Sequence, residues 1–242
     1  MKPHSGTGSL VELVGAPWEI TRLMIPVSPA SNRTRVCDLY LKAGGNGDYT
    51  SVIALSPDHG LGYSILVAGS NATDSRWPIR DALGETFVRA AEYAAAENAR
   101  DNLSGTFASN SSQGNNMTLT VDDDQPGLRL ESFYFNGENA LGEAIAHLYP
   151  TGLYADGNTL AAQYKAEGTI LASHRMIASG VPLPPRAAVE GGQGGGLFDH
   201  SFVWGGVGFF GSLDEFILEL VDGRLKSIMA PYYGLVFNRV EL

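Results

Sequence analysis

Apolar and polar residues alternate along most of the first 70 positions, as they do in β-strands that bury one face. Extended segments are predicted at residues 9–14, 17–23 and 36–41, with a turn at residues 32–34. Two further strands, at residues 50–57 and 61–68, flank the turn Asp58-His59-Gly60 and form a hairpin. The second of these is almost wholly apolar, which predicts a central strand covered on both faces.

One long helix is predicted after this hairpin. Ser75 is suited to the N-cap, and Pro78 falls in the first turn, where a missing N–H costs little. An apolar residue recurs at every fourth position and forms one stripe: Ile79, Leu83, Phe87, Ala91 and Ala95. The helix should therefore run to about Arg100 and pack across the strands before it.

The pattern changes after Arg100. Residues 101–116 are polar, which predicts a domain boundary, and a hairpin turn is predicted at residues 122–127. Short strands follow at residues 117–121, 128–135, 160–166, 169–172, 215–221, 226–229 and 234–240. The one predicted helix in this half covers residues 138–147, and the Pro- and Gly-rich residues 180–196 predict a mobile loop. Regular short strands indicate a barrel or a sandwich.

Composition removes several classes of function. The net charge of −10 argues against nucleic acid as a partner, because phosphate binding needs clustered Lys and Arg. No run approaches the roughly 20 apolar residues that span a bilayer, so we expect no membrane partner. Cys37, the single cysteine, lies in an apolar run and is predicted to be a buried, inert thiol.

No metal or other cofactor is predicted. The five histidines show no metal-ligand spacing, and none is expected to pair with Cys37. Asp122-Asp123-Asp124 lacks the alternating ligands of a calcium loop and is interpreted as a solvated hairpin turn. Gly206-Val207-Gly208-Phe209-Phe210-Gly211 precedes a strand pattern rather than a helix, which favours a glycine-rich hairpin over a dinucleotide site.

Five Asn-x-Ser/Thr sequons favour a history in the secretory pathway, and they make the following residues glycosylation candidates: Asn32, Asn71, Asn102, Asn110 and Asn116. The first residues hold one Lys but no apolar segment of the kind found in signal peptides. This combination predicts that the beginning of a secreted protein is missing.

Two segments carry a family resemblance: Gly15-Ala16-Pro17-Trp18-Glu19-Ile20 and Asp38-Leu39-Tyr40-Leu41-Lys42-Ala43-Gly44-Gly45. With the hairpin and helix that follow, they resemble the C-terminal part of the fungal β-lactamase-related proteins, a secreted group with a serine β-lactamase-like or penicillin-binding-protein-like domain. Residues 103–107, 148–152 and 213–216 are similar to the lipocalin-like barrel that follows in that group.

The resemblance implies an α+β fragment, residues 1–102, made of antiparallel strands and one helix as the C-terminal remnant of a β-lactamase-like domain. An all-β barrel domain, residues 103–242, would follow. Lys42 would face a substrate carboxylate, Gly44 and Gly45 would let backbone approach the substrate, and the strand would supply half of an oxyanion hole. Ala43 stands where the family has a hydroxyl. The alternative interpretation is that Lys42 is an exposed lysine at a strand end.

The nucleophile of that family is absent, because no Ser-x-x-Lys occurs in the sequence. Tyr134-Phe135-Asn136 matches Tyr-x-Asn, but it follows the Lys-x-Gly strand and is interpreted as a coincidence at the end of a strand. We therefore expect a fragment of a serine hydrolase acting on β-lactams, esters or amides, inactive alone and dependent on a covering partner or an N-terminal half. The alternatives are a non-catalytic barrel that binds a small apolar ligand and a product without a function of its own.

Overall fold

The computed structural model describes residues 3–9, 11–31, 33–110, 113–123, 125–156, 168–179, 207–208 and 211–241. The chain forms two compact units, one of Met1–Asn98 with Asp123–Gln125 and one of Ala99–Asp122 with Pro126–Leu242. The predicted boundary between residues 102 and 103 remains a prediction. Among the described helices, none combines the length and the apolar character that crossing a membrane requires.

The first unit contains an open antiparallel sheet in which each strand pairs with the next in sequence. Its six strands are β1 Pro3–Gly6, β2 Glu12–Gly15, β3 Glu19–Pro26, β4 Thr34–Asn46, β5 Tyr49–Ser56 and β6 Leu61–Ala68. A short 3-10 turn, Pro57–His59, joins β5 to β6 and ends at Gly60, whose φ of 61° suits glycine. The alternating pattern and the hairpin turn therefore predicted this sheet correctly.

Two expectations about these strands are wrong. β4 does not end at residue 41, where the predicted segment ended, because pairing with β5 continues to Asn46 opposite Tyr49. β6 is an edge strand rather than a central one, and Leu66 on it is 81% exposed. An apolar run indicates that a strand tends to be buried, but it does not show which other element would pack against it. Apolar side chains of the hairpin are therefore exposed, with Tyr49 and Ile53 of β5 beside Leu66 of β6.

The helix α1 runs from Ala72 to Asn102, so it begins three residues before Ser75, and Pro78 lies inside it. Its buried residues are Ala72, Arg76, Gly84 and Val88, which differ from the predicted stripe, and Phe87 is 41% exposed. Gly84 explains the difference, since a Cβ there would lie 3.0 Å from the Tyr63 hydroxyl. The absence of a side chain at Gly84 therefore lets the helix lie close to Tyr63 of β6.

The core of the first unit lies between the sheet and α1. It consists of buried strand residues and one helical valine: Ile25, Cys37, Leu39, Leu41, Val52, Ala54, Ile65 and Val88. Helix α1 therefore packs across the strands, as predicted, and Cys37 is a buried thiol.

The second unit contains a closed antiparallel barrel. Its elements are β7 Gly105–Ala108, β8 Asn116–Val121, β9 Leu128–Phe135, β10 Glu138–Asn139, β11 Ile145–Asp156, β12 Thr169–Ser179, β13 Val207–Gly208, β14 Gly211–Ser212, β15 Glu215–Val221, β16 Arg224–Ala230 and β17 Leu235–Arg239. Eight strands close in the order β9-β11-β12-β15-β16-β17-β7-β8, because β8 pairs with both β7 and β9. The predicted fold class, an α+β fragment followed by an all-β barrel, is confirmed.

The predicted helix at residues 138–147 is wrong, because the segment holds β10 and the start of β11. Asn136 and Gly137 adopt φ values of 53° and 79° and make the tight turn between β9 and β10. Strands β7 and β11 were not predicted. The predicted strand at residues 160–166, the loop at residues 180–196 and three of the six residues 206–211 lie outside the described residues.

The barrel interior is filled with aromatic and aliphatic side chains. The ring of Phe133 lies 6.0 Å from that of Phe216, 5.9 Å from Phe237 and 5.2 Å from Tyr233, measured between ring centres. All three contacts are edge-to-face, the arrangement that aromatic quadrupoles favour. Phe133 is therefore at the centre of the barrel core.

Replacing Phe133 with Ala should destabilise the barrel by about 3–5 kcal/mol, because it removes a buried ring and leaves a cavity. Tyr134→Ala is the matched control, since Tyr134 is the next residue on β9 but is 38% exposed; its expected cost is below about 1 kcal/mol. Urea unfolding followed by circular dichroism measures both. Equal losses would contradict this assignment of the core.

Candidate functional site

A pocket of about 470 Å³ lies at the ends of β4, β5 and β6, within the first unit. We call it the strand-end pocket, and its lining residues come from three chain segments: Gly44, Gly45, Asn46, Tyr49, Thr50, Ser51, Leu66, Val67 and Ala68. The residues from β6 are apolar, whereas the three residues from β5 all carry hydroxyl groups. Two of the three residues predicted to bind substrate, Gly44 and Gly45, therefore line a pocket.

The two glycines differ in what packing requires of them. A Cβ at Gly45 would lie 3.2 Å from the carbonyl oxygen of Tyr49, whereas one at Gly44 would meet only the Ser51 hydroxyl, at 3.7 Å. Packing within the strands thus leaves more room at position 44 than at position 45. The lack of a side chain at Gly44 keeps the backbone of β4 accessible from the pocket.

Lys42 does not line the pocket. Its Nζ lies 2.5 Å from Glu19 Oε1 and donates to the Ala43 carbonyl oxygen at 3.0 Å. The Lys42 and Glu19 side chains are 46% and 52% exposed, so this ion pair contributes at most about 1 kcal/mol. The proposed contact between Lys42 and a substrate carboxylate remains a prediction, and such a contact would have to displace Glu19.

A second cation, Arg76, lies behind the pocket wall. Its Nη1 donates to Thr50 Oγ1 at 2.5 Å, to the Ser51 carbonyl oxygen at 3.2 Å and to the Gly44 carbonyl oxygen at 3.4 Å. Residue patterns do not identify Arg76 as part of the site, because it belongs to a helix and its partners precede it by 25 to 32 positions. Its position in the first turns of a helix after a hairpin was the only local signal.

A buried polar network also ties α1 to the sheet. The His59 Nδ1 lies 2.7 Å from Ser56 Oγ and 3.9 Å from Cys37 Sγ, and its Nε2 lies 2.7 Å from Glu92 Oε2. Arg35 binds both carboxylate oxygens of Glu92 at 2.6 Å. The expectation that no histidine pairs with Cys37 is therefore wrong; the hairpin turn brings His59 back beside β4, a contact that residue spacing does not reveal.

The network holds charged groups. The contact with Cys37 and the hydrogen bond to Glu92 raise the pKa of His59 to about 9, although burial alone would lower it. Burial alone would raise the pKa of Glu92, but hydrogen bonds from Arg35 and His59 lower it to about 2. A protonated His59 donates to Ser56 and Glu92, so it cannot accept a proton from the Ser56 hydroxyl. Ser56 is also only 1% exposed, so a substrate would not reach it. The Ser-His-Glu arrangement is a structural anchor.

The remaining candidates are dispersed. Asn71 and Asn110 are exposed, Asn102 and Asn116 are half-buried, and Asn32 lies outside the described residues. Tyr134 and Asn136 belong to the barrel unit, at the end of β9 and in the turn after it. Asp122 lies 3.5 Å from Arg129 and 3.6 Å from His147, and Asp124 is not described. In the described part of the chain, no group of three metal-binding side chains occurs.

Comparison with known proteins gives a family match over residues 95–241, to a model described as "Beta-lactamase-like-like, C-terminal domain". The chain is 31% identical over 131 residues to the probable hydrolase clz13 of Cochliobolus lunatus, a match that covers 53% of this chain and 20% of that protein. It is 30% identical over 166 residues to a beta-lactamase-like protein of Arthroderma benhamiae, covering 65% of this chain and 27% of the relative.

The chain thus spans about a fifth to about a quarter of the length of the curated relatives that it matches. Among solved structures, the octameric penicillin-binding protein homologue from Pyrococcus abyssi matches 74% of this chain and 36% of its own chain, at 14% identity and a TM-score of 0.27.

The His59 network makes the stability of the first unit depend on pH. Because the pKa of His59 is raised from 6.5 to about 9, its contribution is complete below about pH 6.5 and is lost as the pH rises through about 9. The lowered pKa of Glu92 adds a contribution that is lost as the pH falls from about 4.5 towards 2.

We expect the difference in unfolding free energy between the wild type and His59→Gln to shrink by roughly 1–3 kcal/mol between pH 6 and pH 9.5. Urea unfolding in a Trp204→Phe background, followed by the fluorescence of Trp18 and Trp77, measures it. His4→Gln is the matched control, because His4 is exposed on β1. A difference that does not change with pH would contradict the charged network.

Proposed function

The chain belongs to the family of beta-lactamase-like C-terminal domains, and from this membership we propose that it acts as the C-terminal part of a serine hydrolase of the β-lactamase type. The relatives named as hydrolases support a hydrolase-related role. The observation that carries the proposal is the strand-end pocket, because the residues that open it, Gly44 and Gly45, are those of the Lys-x-Gly-Gly segment.

In the proposed reaction, a serine hydroxyl attacks the carbonyl carbon of a β-lactam, ester or amide, and a lysine accepts its proton. The C–N or C–O bond of the substrate breaks, and the expelled nitrogen or oxygen takes the proton from the lysine. Water then hydrolyses the acyl-enzyme, which releases the acid and restores the serine hydroxyl. Backbone N–H groups of β4 at the pocket would stabilise the negative charge that develops on the carbonyl oxygen. Lys42 would release Glu19 and bind a substrate carboxylate instead. Breaking the Lys42–Glu19 ion pair would cost little free energy, because both side chains are exposed.

This sequence supplies the wall of such a site but not its nucleophile, since it contains no Ser-x-x-Lys. We therefore propose that the chain does not catalyse the reaction alone and that an N-terminal region provides the serine and the lysine. The open edge of β6 supports this, because its eight residues carry no charge and no proline to prevent pairing with another strand. A covering strand would also shield Leu66.

The rival proposal, a barrel that holds a small apolar ligand, has less support. Four phenyl rings and several aliphatic side chains of the described residues already occupy the interior of the barrel: Phe107, Phe133, Phe216, Phe237, Met117, Leu119 and Leu148. Saturable and displaceable binding of a fluorescent apolar probe to the protein would favour the rival, and its absence would remove it.

Secretion and N-glycosylation are a further part of the proposal. In a eukaryotic secretory host, we expect glycans at Asn71 and Asn110 at higher occupancy than at Asn102 and Asn116, because only the first two side chains are exposed. Peptide mapping with and without endoglycosidase measures the occupancy, with Asn71→Gln and Asn110→Gln as controls. An unmodified product would contradict glycosylation of this chain.

Joining the chain to an N-terminal region of a relative that carries Ser-x-x-Lys should give turnover of a chromogenic β-lactam or ester. Within that chimera, Lys42→Met should lower kcat/KM by about 10- to 100-fold, the loss expected for one charge-assisted hydrogen bond. Lys226→Met is the matched control, since Lys226 is exposed on β16 of the barrel. A folded chimera without activity would count against the proposed function.

A further inference from the structure

We propose that Arg76 is the positioning residue of the strand-end pocket: its guanidinium fixes the ends of β4 and β5, and thereby the backbone of Gly44, Gly45 and Ser51. A role of Arg76 in catalysis rests on the proposed function. Its role in fixing the strand ends does not, and that role can be tested in this chain alone. Arg76 itself does not line the pocket, and it would act through the residues that do.

The hydrogen bonds of Arg76 cross two strands at one point of the ladder. Gly44 pairs with Ser51 and Gly45 pairs with Thr50, so the three acceptors of Nη1 belong to adjacent rungs. Thr50 Oγ1 also donates to the Gly44 carbonyl oxygen at 3.1 Å, which links the acceptors to one another. One nitrogen therefore holds both strands close to the turn at Gly47, with Gly44 before the turn and Thr50 and Ser51 after it.

Burying the charge of Arg76 behind the strand ends costs free energy of folding. The residue is 6% exposed, and among the described residues no carboxylate forms an ion pair with it and no acceptor lies at its Nε. The ring of Trp77, whose centre lies 4.1 Å from Cζ, gives partial compensation. A buried cation without a carboxylate costs stability that an apolar residue of the same size would not. Stability therefore does not explain Arg76, whereas control of the pocket wall does.

Arg80 provides a matched comparison one helical turn later. Its Cζ lies 4.6 Å from the centre of the same Trp77 ring, and its guanidinium binds Asp81 rather than the strands. The two arginines thus share their helix, their charge and their aromatic neighbour. They differ in the contact with β4 and β5, which is the contact that the proposal concerns.

The test is amide hydrogen exchange of the isotope-labelled protein, read by NMR at Gly44 and Ser51, which pair with each other across β4 and β5. In Arg76→Met these amides should exchange about tenfold faster, while those of Leu39 and Val88 keep their wild-type rates. Arg76→Lys, which restores a cationic donor, should recover most of the protection, and Arg80→Met should change none of these rates.

A second variant keeps the test decisive if Arg76→Met does not fold. Thr50→Val removes the hydroxyl that forms the shortest of the three hydrogen bonds with Arg76, and it keeps the size of the side chain. It should also accelerate amide exchange at Gly44 and Ser51. Unchanged rates at the strand ends in the folded variants would overturn the proposal. An equal acceleration at Leu39 and Val88 would also overturn it, because that result belongs to a residue of the general core.

In the active chimera, Arg76→Met should lower kcat/KM while Arg80→Met leaves it unchanged. An inactive chimera together with the expected exchange pattern would defeat the hydrolase proposal and leave the positioning role of Arg76 intact. Normal activity of the Arg76→Met chimera would show that the pocket wall does not need this arginine. The two proposals therefore fail separately.

Discussion

The attachment of α1 to the first sheet is the constraint on which the proposed site depends. Glu92, a residue of the helix, is held by Arg35 on β4 and by His59 in the hairpin turn, at distances of 2.6 to 2.7 Å. Because an α-helix is a stiff rod with a rise of about 1.5 Å per residue, an anchor at Glu92 restrains Arg76, about 24 Å away along the axis. Gly84 then brings the helix close to Tyr63, and Arg76 meets the strand ends.

This arrangement separates two uses of buried charge in one unit. The charges of Arg35 and His59 are compensated by the carboxylates of Glu92 and Asp58, which is how buried ions avoid the full cost of desolvation. Arg76 instead binds a hydroxyl and carbonyl oxygens, which compensate its charge less completely. The first group is explained by attachment of the helix, whereas the second is explained by the pocket that it supports.

Sequence patterns predicted the local parts of this structure and missed the parts that depend on distant residues. Alternation identified β8, β9 and β15 to β17, since each has one face in the barrel core. It misplaced β6, because exposure of an apolar strand depends on which neighbours are present. The apolar stripe also predicted the wrong face of α1, because the face that contacts the sheet carries Gly84 and the polar residues Arg76 and Glu92. The motif of Lys42 to Gly45 located one wall of the pocket, but residues 66–68 complete it.

The two units differ in how much of their structure is closed by their own residues. In the barrel every strand of the closed ring has a partner on both sides, and the buried side chains form one continuous core. In the first sheet β6 leaves its outer backbone groups without a strand partner and exposes Leu66. Because unpaired strand edges and exposed apolar side chains gain most from a covering surface, association with another segment should stabilise the first unit far more than the barrel. The same unit carries the pocket, so the free energy gained when such a segment binds would also favour completion of the catalytic site.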